Sequence, residues 1–148
     1  MINALKALFE IPERESEEST EQRMQLAAAA LLIETARADF TQDAAEEAAL
    51  KNLLCGVLSV EHSRIDELFE RATQKVDEAT SLYEFTREIN DHYSAAQKLR
   101  VIEAMWRVAY ADGNLDKYEE HLIRQVAELT YVPHEDYIRS KLAAKSEE

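Results

Sequence analysis

Two twelve-residue stretches, "ARADFTQDAAEE" at 36–47 and "AYADGNLDKYEE" at 109–120, place the same acids at the same spacing. An offset of 73 residues lays Ala38, Asp39, Asp43, Glu46 and Glu47 over Ala111, Asp112, Asp116, Glu119 and Glu120. The match continues weakly outward, pairing Leu26 with Leu99, Ala36 with Ala109, Leu50 with Ile123 and Ile65 with Ile138. Two copies at this period describe a duplicated helical unit, because a solenoid needs at least three. Each half then reads as a central helix, a short acidic loop, a second helix and a third.

Composition agrees with helices. The 148 residues include only two glycines and two prolines, while Ala, Leu, Glu, Lys, Arg and Gln abound. The length fits one domain, and 46% hydrophobic residues can fill one core. No segment alternates like a strand, so the expected class is all-α, a bundle of about seven or eight helices.

The expected layout begins with a short amphipathic helix over residues 2–9, "INALKALF", and an acidic, solvated linker over 10–19, "EIPERESEES". A helical domain follows over 20–145, with halves at about 20–77 and 94–145, and residues 146–148 form a frayed tail. The run "LAAAALLIETA" is almost wholly apolar, which places its helix in the centre. Leu26, Leu31, Leu32, Leu99, Ile102 and Trp106 are the expected core, with Tyr110 packed beside Trp106. Ser19 with Gln22, Ser81 with Glu84 and Ser94 with Gln97 have capping-box spacing. Gly56 and Gly113 fall where helices are expected to end, and Pro133 suits the first turn of the last one. Helix periodicity puts Ile65, Leu68, Phe69, Ala72 and Val76 on one face, and Tyr118, Leu122, Val126 and Leu129 on another.

The motifs "YADGNLDKYEEHLIRQVAEL" and "RADFTQDAAEEAALKNLL" resemble the TerB-like family. That family takes in tellurite-resistance TerB proteins and the amino-terminal region of the DnaJ-like membrane co-chaperone DjlA. In the first copy Phe40 replaces the usual glycine and Gln42 the usual apolar residue, which implies a different loop shape there. The resemblance implies an all-α bundle, a non-enzymatic part in stress responses and cation binding by the acids.

Read from the residues alone, these acids admit two roles. Asp43 with Glu46, and Asp116 with Glu119, have N-cap-to-N3 spacing and suit helix capping. Glu47 and Glu120 read as solvated face residues. Asp39 and Asp112 instead fall at helix ends, against the negative pole of the dipole. Backbone amides, a nearby base or a bound cation must offset that repulsion. Asp39, Asp43, Glu46, Asp112, Asp116 and Glu119 therefore form the candidate metal set, and oxygen donors favour Ca²⁺ or Mg²⁺. It is not an EF-hand, since Lys117 and Ile123 stand where the loop counted from Asp112 needs Gly and Glu.

A net charge of −13 opposes binding to nucleic acid and to anionic membrane surfaces, and favours cations or a basic protein face. No stretch reaches the roughly 20 apolar residues of a membrane span. Cys55, alone, excludes an intramolecular disulfide and reads as a small core residue, which with the lack of a signal peptide suggests a cytoplasmic protein. His62, His92, His121 and His134 lack zinc-ligand spacing, and neither a phosphate-cradling glycine loop nor a nucleophile elbow is present. The expected role is an interaction module presenting paired acidic loops to a basic protein partner or divalent cation. The alternative is a divalent-metal-dependent enzyme using the same carboxylates.

Overall fold

A computed structural model describes residues 21–37, 44–111 and 115–146, apart from the side chains of 44–46 and 146. Among these residues there are seven helices and no strand. They are α1 (21–37), α2 (Ala44–Leu58), α3 (His62–Glu78), α4 (Tyr83–His92), α5 (Ala95–Tyr110), α6 (Lys117–Leu129) and α7 (His134–Ser146). The 73-residue offset carries the first residue of α2 onto that of α6, and the first of α3 to within one residue of that of α7. The amphipathic segment 2–9, the linker 10–19 with its Ser19 cap, and Gly113 lie outside the described residues.

Helices α1 and α5 form the middle of the bundle. In α1 every residue from Ala27 to Ile33 is buried, which only a helix enclosed on all sides permits. The buried hydroxyl of Thr35 donates to Leu31 O at 2.8 Å, so it adds no unsatisfied donor to that core. In α5 the buried residues include Val101, Ile102, Ala104, Met105, Trp106 and Ala109. Aligned by the repeat, Ala29 corresponds to Ile102, Leu31 to Ala104 and Ile33 to Trp106. In the first two pairs bulk and smallness have been exchanged between copies, and all six residues are buried. Leu26 is half-buried and packs on the core edge, and Leu99 is only partly covered, because both sit one or two residues before the enclosed stretch.

Helix α5 packs against α2, α6 and α7, and within each half the second and third helices pair, α2 with α3 and α6 with α7. The connector α4 rests on α6, and Asn90 Nδ2 donates to Leu129 O at 2.8 Å. Tyr93, between α4 and α5, donates its hydroxyl to Met24 O of α1 at 3.0 Å, which ties the connector to the first half.

Several helix ends follow the expected chemistry. Ser94 and Gln97 form a reciprocal capping box, with Ser94 N donating to Gln97 Oε1 at 2.8 Å and Gln97 N to Ser94 Oγ at 3.2 Å. Ser81 accepts from Tyr83 N at 3.3 Å, the first amide of α4, but forms no reciprocal box with Glu84. Leu82 holds the N-cap position without a side-chain bond, and Glu84 lies inside the helix. Helix α2 runs through Gly56 to Leu58, since an exposed helical glycine costs only about 1 kcal/mol relative to alanine. The left-handed turn falls instead at Ser59, with φ 55°, and at Tyr131 after α6, with φ 61°. Both halves close this turn alike, with Val60 N donating to Cys55 O and Val132 N to Ala127 O. Pro133 immediately precedes α7, and its carbonyl accepts from Tyr137 N at 2.9 Å.

The face of α3 is as its periodicity predicts, with Ile65, Phe69, Ala72 and Val76 buried and Leu68 partly so. The face of α6 is not. Glu119, Ile123, Val126 and Ala127 point inward, whereas Tyr118 is 69% exposed and Leu122 only half-covered. The cap at Asp116 sets the rotation of this helix and turns a glutamate, rather than the neighbouring tyrosine, toward the interior.

Candidate functional site: the acidic turn before α6

Helix α6 starts at Lys117 because Asp116 caps it in extended conformation, its Oδ1 accepting from Tyr118 N at 2.9 Å. Glu119 returns the bond by accepting from Asp116 N at 3.2 Å. This reciprocal pair fixes the chain's entry into the helix and places two carboxylates at its positive end, where each is stabilised. A cap of this kind contributes about 1 kcal/mol. Glu119 is 2% exposed, and a carboxylate so deep persists only where donors compensate its lost hydration.

Glu120, expected to be solvated, is half-covered and accepts from Lys141 Nζ of α7 at 2.8 Å. The same ammonium lies 5.7 Å from the Trp106 ring centroid. Its hydrogen bond to Glu120 raises the Lys141 pKa above its ordinary value, against a smaller opposing effect of burial. Trp106 stacks on Tyr110 at 6.0 Å and meets Tyr137 at 5.4 Å, and its indole N–H donates to Ser140 Oγ at 3.1 Å. Burial pushes the Tyr137 phenol up, with Arg124 opposing. Trp106 thus lies beneath the ammonium that Glu120 holds, with Tyr110 stacked on it.

In the first half, Glu47 likewise has a partner, Lys51 at 3.6 Å, and Lys51 also reaches Asp66 of α3 at 3.0 Å. The Lys51 pKa is raised chiefly by its bond to Asp66. One turn before the first acidic stretch, burial lifts the Glu34 carboxyl above its usual range, and Arg37 counteracts it.

Of the six expected metal-set residues, the structure describes the side chains of Asp116 and Glu119 alone. Asp39, Asp43 and Asp112 lie outside the described residues, as does the side chain of Glu46 in α2. Among the described residues, no group of three or more His, Cys, Asp or Glu could hold a metal ion. Asp116 and Glu119 have the oxygen chemistry a hard cation needs, but two carboxylates engaged in capping fall short of the six to eight oxygens Ca²⁺ takes. The described residues do not by themselves fit such an ion.

Sequence reasoning missed two features. Cys55 is buried as expected, yet its Sγ also lies 3.6 Å from His62 Nδ1. Arg64 and Arg71, seven residues apart on α3, line a polar hollow with Gln22 and Gln25 of α1, and their heptad spacing was the available signal.

Seven helices among the described residues, in two copied halves, with a capped acidic entry to α6 and the same acid spacing before α2 in the sequence, define a class that a family comparison can test. The family model for tellurite resistance protein TerB matches residues 25–142, from within α1 to within α7. The chain belongs to the TerB family and is a tellurite-resistance-related helical domain. No curated protein and no solved structure shows a significant match to it. Among the described residues no helix is long and apolar enough to cross a membrane.

Proposed function

We propose that the protein is a cytoplasmic, non-enzymatic interaction module in a stress or tellurite and metal response, offering its acidic turns to a basic protein partner or a divalent cation. The observation that supports this most directly is Glu119, buried and clamped to the Asp116 backbone. Such a clamp orders the end of an anionic turn before any partner arrives, and preorganisation lowers the cost of binding. Membership of the TerB family and the net charge of −13 point the same way. In the cation arm, Asp39, Asp43, Glu46 and Asp112 join Asp116 and Glu119 as donors, and Ca²⁺ or Mg²⁺ is the ion their oxygens suit.

Metal-stripped protein titrated with Ca²⁺ or Mg²⁺, wild type beside Asp112→Asn, tests that arm by calorimetry and melting. A ligand held only by the folded state adds about 2.7 kcal/mol at a hundredfold excess over its dissociation constant. The expected result is that stabilisation in the wild type and loss of most of it in the variant. No heat and no shift in melting at millimolar ion would end the cation arm for those ions. The protein arm is then tested by salt, since capture through acidic turns weakens as ionic strength rises.

A further inference from the structure

Away from the acidic turn, the molecule carries a surface of opposite character. Three adjoining hollows, of about 200, 140 and 430 Å³, share Gln25 of α1 as a wall. Their basic side chains are Arg64 and Arg71 of α3 and Arg100 of α5, and their acids are Glu21 and Glu67. Gln22 and Gln97 add further amide groups to this cleft. All three arginines are exposed, and none makes an ion pair among the described residues. On a chain with 30 acids against 17 Lys and Arg, a cleft with three arginines against two glutamates is out of keeping with the net charge. Two of the hollows are below the roughly 300–1,000 Å³ of ordinary small-molecule pockets, and their walls, which mix arginine and glutamine with Val57, Leu58, Val60 and Leu68, suit an extended acidic peptide better.

Such a peptide lies next to the cleft in the sequence. Residues 10–19, EIPERESEES, hold five glutamates and one arginine, and they end two positions before Glu21, whose own side chain lines two of the hollows. Ten residues reach at most about 33 Å, ample to pass from the start of α1 along the arginines. The tether gives an effective concentration on the order of millimolar, so even a weak contact is populated. With a net charge of −13 the chain as a whole opposes an acidic segment, and the arginines of this cleft complement one. We propose that residues 10–19 dock in cis along the Arg64–Arg71–Arg100 cleft, so that the chain covers its own cationic surface. Under this proposal the acidic stretch is a ligand for the domain and no longer a solvated linker.

Nuclear magnetic resonance of the ¹⁵N-labelled full chain tests this at about 0.02 M salt. Changing Glu13, Glu15, Glu17 and Glu18 together to Gln should move the amide signals of Arg64 and Arg71, which are far away in sequence. Changing Arg64, Arg71 and Arg100 to Gln should move the signals of residues 13–18, and the Arg→Lys triple, which keeps the charge, should largely restore them. Both sets of shifts should shrink at least about fivefold at roughly 0.5 M salt, where screening acts within a few ångströms, and should survive tenfold dilution. Shifts confined to the neighbours of each changed residue would overturn the proposal, since acids that only complement the start of α1 cannot reach α3. Shifts that vanish on dilution would also overturn it, by assigning the cleft to a second copy. If the arginine triple fails to fold, the glutamate variant alone decides the matter.

Discussion

In the first half of the bundle Lys51 of α2 reaches Asp66 of α3 at 3.0 Å and lies 5.1 Å from the Phe69 ring centroid. In the second, Glu120 of α6 meets Lys141 of α7 at 2.8 Å, and Lys141 lies over Trp106. Each half thus joins its second helix to its third through one ion pair with a lysine set over an aromatic ring, but the signs are exchanged. The lysine belongs to the second helix in one copy and to the third in the other. Glu47 and Glu120, matched by the repeat, are both neutralised, one from within its own helix and one from across the interface. Duplication preserved the need for a bridge and left its polarity free. The acids themselves are therefore a poor guide to which residues face a partner.

The largest test of the two-half architecture is in the core. Truncating Leu32 in α1 or Ile102 in α5 to Ala should cost about 2–5 kcal/mol each, measured by urea unfolding. Similar losses would show that both central helices are equally enclosed, while a near-zero loss at either would break the pseudo-symmetry.

The seam between the connector and the first half is probed by alkali. Burial pushes the Tyr93 phenol up to about 12. Below pH 10 the phenol is neutral in folded and unfolded chains alike, so stability is unaffected. Between about 10 and 12 the unfolded chain ionises while the folded one does not, and stability is lost by up to about 2.7 kcal/mol for a two-unit shift. Tyr93→Phe forfeits the bond to Met24 O but should flatten that alkaline limb. An unchanged slope would mean the lysines, whose raised pKa values also favour the folded state until alkali discharges them, carry it instead.

The smallest effect separates the two bridges. A double-mutant cycle on Glu120 and Lys141 should give a coupling of up to about 1 kcal/mol, since their side chains are only 39% and 26% exposed. The Lys51–Asp66 cycle should give a coupling too small to separate from zero, because the Asp66 side chain is 81% exposed. Equal couplings would refute the distinction drawn from burial.

The duplication and the central helices were legible in the sequence because they depend on local pattern. Residues 26–36 are too apolar to lie outside, and Ser94 with Gln97 could form their box without any tertiary partner. What depends on distant partners was not legible. The rotation of α6 was misread since Tyr118 is the larger apolar group, yet the bond from Asp116 N to Glu119 turns the glutamate inward. Helix α7 likewise buries Tyr137, Ser140 and Ala144 while leaving Ile138, the repeat partner of the buried Ile65, and Leu142 outside. Lys141 finds Glu120 across 21 residues, a pairing no helical period announces. Of the candidate metal set, only the Asp116 and Glu119 capping was open to comparison with the structure.

The single tryptophan gives the protein an optical gauge of its own. Trp106 is fully buried, bonded to Ser140, and covered by the ammonium that holds Glu120 beside the acidic turn. Any event that draws Lys141 away from Glu120 changes the electric field on the indole and hence its emission. A basic partner competing for Glu120 would therefore report its arrival as a colour shift in unlabelled protein, and solvent entering between α5 and α7 would report as a shift to the red.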